Sequence, residues 1–171
     1  MPSNFDEALR LLIKSEGGFS DSIGDPGGAT KYGVTRETWE EWVGHPVSVE
    51  TMKNVTIEQV APLYEQRYWK PCELLPRGLS FLVFSMGVNA GIGRSIKLLE
   101  SCLGLIPTGS IGERVADKIK ELNIADVIGK FSQSRRDYYH SLKKTFPLFG
   151  HGWLKRVDIE EKEALDMVKN G

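Results

Sequence analysis

No apolar stretch in this sequence approaches the roughly 18 residues that a membrane-crossing helix requires. The opening residues MPSNFDEALR lack a basic start followed by an apolar core, so no secretory leader is expected. Excess charge of one sign is missing as well. With 22 Lys and Arg against 23 Asp and Glu, the formal net charge is −1 and the isoelectric point about 6.3. Strong electrostatic attraction to nucleic acid or to an anionic polymer is not indicated, and binding has to come from shape, hydrogen bonds and stacking. There are only two cysteines, Cys72 and Cys102, with no Cys-x-x-Cys pair, so two free thiols are expected. His45, His140 and His151 are scattered without ligand spacing, and no metal or other cofactor is expected. Asp21 and Asp25 share a loop that lacks the ligand order of an EF-hand. Internal repeats and low-complexity tracts are absent too.

What is present is enough for one packed domain: 171 residues, 40% hydrophobic and 26% charged. The chain is organised around Glu16–Thr35, EGGFSDSIGDPGGATKYGVT. Phe5, Ala8, Leu9, Leu12 and Ile13 follow the i, i+3, i+4, i+7, i+8 spacing of a core-facing helix stripe, which places Glu16 on or beside that face. Gly17 and Gly18 end the helix. A carboxylate there meets the negative end of the helix dipole and partial desolvation, and both favour the protonated acid. Asp25 follows nine residues later in the turn signal Asp25-Pro26-Gly27-Gly28. Two carboxyl groups facing each other across a cleft are the minimal equipment for glycoside hydrolysis. A glutamate at a helix end also commonly just faces water, and spacing alone does not separate these readings.

Taken in order, Ser3 or Asn4 is expected to cap the first helix, with Glu7 as capping-box partner. The glycine-rich loop to Tyr32 is expected to form an irregular hairpin, the one β region of the chain. Thr35 opens a short helix carrying Trp39 and Trp42, ended by Gly44 and Pro46. Thr56-Ile57-Glu58-Gln59 is a capping box for a helix reaching about Lys70, with Val60, Leu63, Tyr64 and Tyr68 inward. At its end Tyr68 and Trp69 either line a sugar cleft or pack. The segment 79–88, LSFLVFSMGV, reads as a buried helix leading to Asn89 and two nearby glycines. Further helices are expected over residues 96–103, 112–122 and 125–144, with Arg135-Arg136 on a solvated face. Phe146-Pro147 breaks the last of these, and residues 150–157 form a turn into a final helix.

The combination Glu16-Gly17-Gly18-Phe19, Asp25-Pro26-Gly27-Gly28 and Thr30-Lys31-Tyr32-Gly33-Val34-Thr35 resembles the signature of glycoside hydrolase family 108, the lysozyme-like N-acetylmuramidases of phages and bacteria. The resemblance extends to Tyr64 with Tyr68-Trp69, to Asn89 with Gly93-Arg94-Ser95-Ile96, and to Gly152-Trp153-Leu154-Lys155-Arg156-Val157, nearly the whole chain. It implies a mainly α, single lysozyme-like domain with a small β-hairpin region lining the active-site cleft. Residues 1–70 would be the catalytic part, and residues 71–171 a helical part resembling a peptidoglycan-binding segment. Within the latter, Thr108-Gly109-Ser110-Ile111-Gly112 resembles the turn of small peptidoglycan-binding repeats, with Thr108 where Asp is usual.

By the same resemblance Glu16 matches the catalytic glutamate. Asp25 and Thr30 resemble the Glu-x8-Asp-x5-Thr arrangement of phage-type lysozymes, with one residue fewer before the threonine. The implied activity is cleavage of the β-1,4 bond between N-acetylmuramic acid and N-acetylglucosamine, with Thr30, Tyr32, Trp69 and Asn89 touching substrate. The implied partner is the glycan strand of peptidoglycan, acted on by a monomer without nucleic acid or membrane insertion. Such an endolysin or bacterial muramidase would be made in the cytoplasm and released to the wall by a holin or another export route. Two other readings stay open. A lytic transglycosylase uses the same acid but no water-activating carboxylate, which Asp25 argues against. A non-catalytic wall-binding or secretion-accessory protein would bind peptidoglycan without cleaving it.

Overall fold

The computed structural model describes the backbone of residues 3–16, 19–20 and 30–171, and the side chains of residues 3–15 and 31–171. The fold is mainly α, a lysozyme-like helical architecture with, among the described residues, one small antiparallel sheet. The chain forms two compact units, residues 1–67 and 68–171. Among the described residues, no helix is long and apolar enough to cross a membrane.

In the first unit, α1 (Asn4–Glu16) buries Phe5, Ala8, Leu9 and Leu12 of the expected stripe, leaves Ile13 half-buried, and adds Leu11. Its cap is Ser3, but the reciprocal partner is Asp6 and not Glu7. The Asp6 N–H donates to the Ser3 hydroxyl (3.1 Å), and the Ser3 N–H donates back to the Asp6 carboxylate (3.0 Å). Counting from Ser3 puts the third helical position at Asp6, and the shorter acid still reaches back. Three two-residue strands follow, β1 (Phe19–Ser20), β2 (Thr30–Lys31) and β3 (Val34–Thr35), in the order β1-β2-β3. Thr35 then caps α2 (Arg36–Val43) through its hydroxyl, and Gly44 ends it at φ 86°. The sequence reading has no counterpart for α3 (Val49–Asn54), a six-residue helix capped by Ser48 and too short to show a periodic stripe. The capping box Thr56–Gln59 opens α4 (Ile57–Tyr64) as expected.

The helix does not run on regularly to Lys70. Residues Glu65–Trp69 form one π-helical turn, and Lys70–Cys72 a 3₁₀ turn that accepts Pro71. A π turn adds one residue per turn, so the buried position after Tyr64 falls five residues on, at Trp69, instead of four on, at Tyr68. The division between the two units falls within this turn, after Arg67.

The second unit contains α5 (Leu79–Ala90), α6 (Ile92–Cys102), α7 (Glu113–Lys120), α8 (Ile124–Ser141) and α9 (Phe146–Lys169). Residues Leu79 to Gly87 of α5 are all buried, which is why its sequence shows no polar face. α6 approaches closely at Gly87, where a Cβ would lie 2.7 Å from Ile92 Cδ1. The expected turn at 150–157 is instead part of α9. Gly150 serves packing, since a Cβ there would lie 2.4 Å from the Phe146 ring. The expected solvated face at Arg135-Arg136 is also corrected. Arg135 is 1% exposed and pairs with Glu160, and Arg136 binds Asp158 and Glu161 at 2.8 and 2.6 Å.

Candidate active site

Tyr32, one of the expected site residues, lies in a hairpin of the first unit. Lys31 pairs with Val34, so Tyr32 and Gly33 alone make the turn between β2 and β3. Their φ angles are +53° and +86°. Positive φ at both central residues gives a turn whose twist matches that of the strands. Gly33 adopts it freely, whereas a tyrosine in the left-handed region costs about 1–2 kcal/mol. That cost is offset from α4: the Tyr64 hydroxyl, on a fully buried side chain, donates to the Tyr32 carbonyl. Lys31 adds a second tie. Its ammonium donates to the Lys53 carbonyl at the end of α3 (3.0 Å) and lies 4.9 Å from the centre of the Tyr32 ring. The half-buried Tyr32 is thereby held from both sides.

The other expected residues of this unit are tied to the same hairpin by the backbone. Glu16 is the last residue of α1. Three residues later β1 begins, whose Phe19 and Ser20 pair with Lys31 and Thr30 of β2. The strand that pairs with Thr30 thus begins three residues after the end of α1. The side chains of Glu16 and Thr30, and Asp25 entirely, lie outside the described residues.

Trp69 and Asn89 belong to the second unit. Trp69 is 5% exposed and meets Phe84 edge-on at 5.5 Å between ring centres. Asn89 is exposed in the last turn of α5, which ends at Gly91 with φ 97°. Four residues before Asn89, and so on the same helix face, Ser85 donates to Glu160 Oε1 at 2.8 Å. Arg156 donates to the same oxygen at 2.9 Å, and Arg135 approaches it at 3.4 Å. Burial alone would raise the pKa of Glu160, but Arg135, Arg156 and the Ser85 hydroxyl outweigh it and hold the carboxyl below its ordinary range. Asn89 therefore stands on a helix braced by a buried, ionised cluster.

A second buried carboxylate, Glu100, organises the corner after α6. It accepts the Thr108 N–H (2.5 Å), the Thr108 hydroxyl (2.6 Å), the Gly109 N–H (3.0 Å) and an Arg114 N–H (3.1 Å). Burial opposes ionisation here too, and those donors overcome it, leaving the pKa lowered. Cys72 is no nucleophile: burial, aided by the charge of Glu73, pushes its thiol up to about 12. Among the described residues no group of three His, Cys, Asp or Glu is placed to hold a metal. A hollow of about 500 Å³ beside Cys102, Asp126 and Lys130 contains none of the expected site residues.

Sequence reasoning missed the roles of Lys31 and Tyr64. Tyr64 was legible only as a core position, and nothing local to Lys31 signals its bond to a carbonyl 22 residues away.

Residues 9–91 match the model of the glycosyl hydrolase 108 family. No curated protein matches the chain. Among solved structures, "Structure of Brucella abortus SagA" is similar over 95% of this chain and 94% of that one, at 29% sequence identity and a TM-score of 0.88.

Proposed function

We propose that this chain, a member of glycosyl hydrolase family 108, hydrolyses the β-1,4 bond between N-acetylmuramic acid and N-acetylglucosamine in peptidoglycan. One observation carries the reading: Glu16, Asp25, Thr30, Tyr32, Trp69 and Asn89 all fall inside the matched residues 9–91. The supporting geometry is the end of α1 at Glu16, leading within three residues into the strand that pairs beside the clamped Tyr32 hairpin. Glu16 is the proton donor to the leaving glycosidic oxygen. Its place at the negative end of the α1 dipole favours the protonated acid that the step consumes. Asp25 stabilises positive charge developing on the sugar or orients the attacking water. Thr30, Tyr32, Trp69 and Asn89 contact the glycan. Access to the wall comes through a holin or another export route.

The test combines clearing of a wall suspension with mass spectrometry of the products. Clearing with ordinary reducing ends is expected, and Glu16→Gln should abolish it. Anhydro-muramyl ends would show a lytic transglycosylase. Binding to wall without clearing would show a non-catalytic protein.

A further inference from the structure

We propose that the corner where α8 meets α9 docks on the surface of an anionic phospholipid bilayer. From Tyr138 to Val157 the sequence is YYHSLKKTFPLFGHGWLKRV, and it contains no Asp, Glu, Asn or Gln in a chain whose net charge is −1. The same stretch carries Lys143, Lys144 and Lys155 on exposed positions. At the start of α9, Leu148 is 75% exposed and Phe149 39% exposed. Both apolar side chains thus stand in water, flanked by cations.

The aromatic rings at the tip pack on one another. Phe149 stacks on Trp153 at 5.8 Å, and Trp153 packs against Tyr139 of α8 at 5.1 Å. Gly150 admits the Phe146 ring beneath the same turn. The acids bordering the stretch are Asp137, which accepts from the Gln133 amide at 3.0 Å, and Asp158, which shares Arg136 with Glu161.

The chemistry selects the occupant. Exposed aliphatic and aromatic side chains ringed by lysines match the boundary between acyl chains and anionic headgroups. The lysine stems lie along apolar surface while the ammonium groups reach phosphate. A neutral glycan offers the exposed lysines no anionic group, whereas a phospholipid headgroup does. The corner lies on the bilayer without crossing it, since no described helix could span one.

The experiment is sedimentation of the full chain with phosphatidylcholine vesicles, with and without a minor fraction of phosphatidylglycerol. Binding is expected only when the anionic lipid is present, and it should weaken as salt rises. Replacing both lysines in the variant Lys143→Gln, Lys144→Gln should weaken it on the order of 30-fold, about fivefold per charge. A second variant, Leu148→Asp, Phe149→Ser, alters exposed positions and should fold normally by circular dichroism while losing vesicle binding. No binding to the anionic vesicles overturns the proposal, as does binding that survives both variants. Undiminished vesicle binding at high salt overturns the electrostatic part. Loss of binding to purified sacculi, with no vesicle binding by the parent chain, would assign the corner to the wall instead.

Discussion

The hairpin of the first unit and the helical bundle of the second keep their shapes by opposite means. The hairpin has strands of two residues, a tyrosine in a strained turn, and hydrogen bonds from Tyr64 and Lys31 that hold it. The bundle buries ionised carboxylates, Glu100 and Glu160, each surrounded by several donors. A strained turn is a usual setting for chemistry, where geometry matters more than stability. A buried charge network suits a scaffold, because losing one partner strands the others. If this division of labour holds, substitutions in the two regions should have crossed effects.

The largest expected effect tests it at Glu16. Glu16→Gln should lower wall-clearing activity by about 10²–10⁴-fold, the usual contribution of a positioned proton donor. Its unfolding midpoint should equal or exceed that of the parent, since a charge opposing the helix dipole has been removed. A less stable variant that still clears wall would remove Glu16 from the mechanism.

At Glu160 the opposite pattern is expected. Glu160→Ala leaves Arg135 and Arg156 facing a buried site without their shared acceptor, and about 3–5 kcal/mol of stability should be lost in chemical denaturation. Activity per folded molecule should change far less. Equal losses of activity and stability at both positions would abolish the contrast between the two regions.

Acid sharpens the comparison without mutation. Glu100 and Glu160 both have pKa values held below the ordinary value in the folded chain. Their contribution to stability is therefore fully present above the unfolded value of about 4.3, and is lost as pH falls through the lower folded values. Denaturation midpoints should be flat from neutral pH down to about 5 and fall steeply below that. Glu100→Gln should be less stable than the parent at neutral pH and should flatten part of the acid slope. An unchanged slope would show that Glu100 does not stay ionised in the fold.

The smallest effect is expected at Tyr64. Tyr64→Phe removes one hydrogen bond to the Tyr32 carbonyl, about 0.5–1.5 kcal/mol of stability. Because that bond holds the hairpin turn, activity should fall by more than the loss of folded protein accounts for. Activity that merely tracks stability would make the clamp structural only.

Much of the fold was legible wherever the cause is local. The stripe of α1, the caps at Thr35 and Thr56–Gln59, and the mostly apolar run of α5 are set by residues three or four apart, or by continuous burial. Of the expected site, the structure describes the helix end at Glu16 and the short hairpin after it, while the Glu16 side chain and all of Asp25 lie outside the described residues. What tied Tyr32 in place was not legible, because its partner Tyr64 is 32 residues distant.

The sequence by itself determined where helices begin, which faces are apolar, and which acid stands at the end of α1, since propensity, capping and periodicity act over a few residues. Tertiary structure alone decided that Trp69 and not Tyr68 is buried, that Arg135 lies in the core, and that Gly150 sits under a ring inside α9. The physical reason is common to all three. Each is a choice between two locally acceptable states, a regular or widened turn, a solvated or paired arginine, a loop or a helical glycine. The choice is made by what packs against it from elsewhere in the chain.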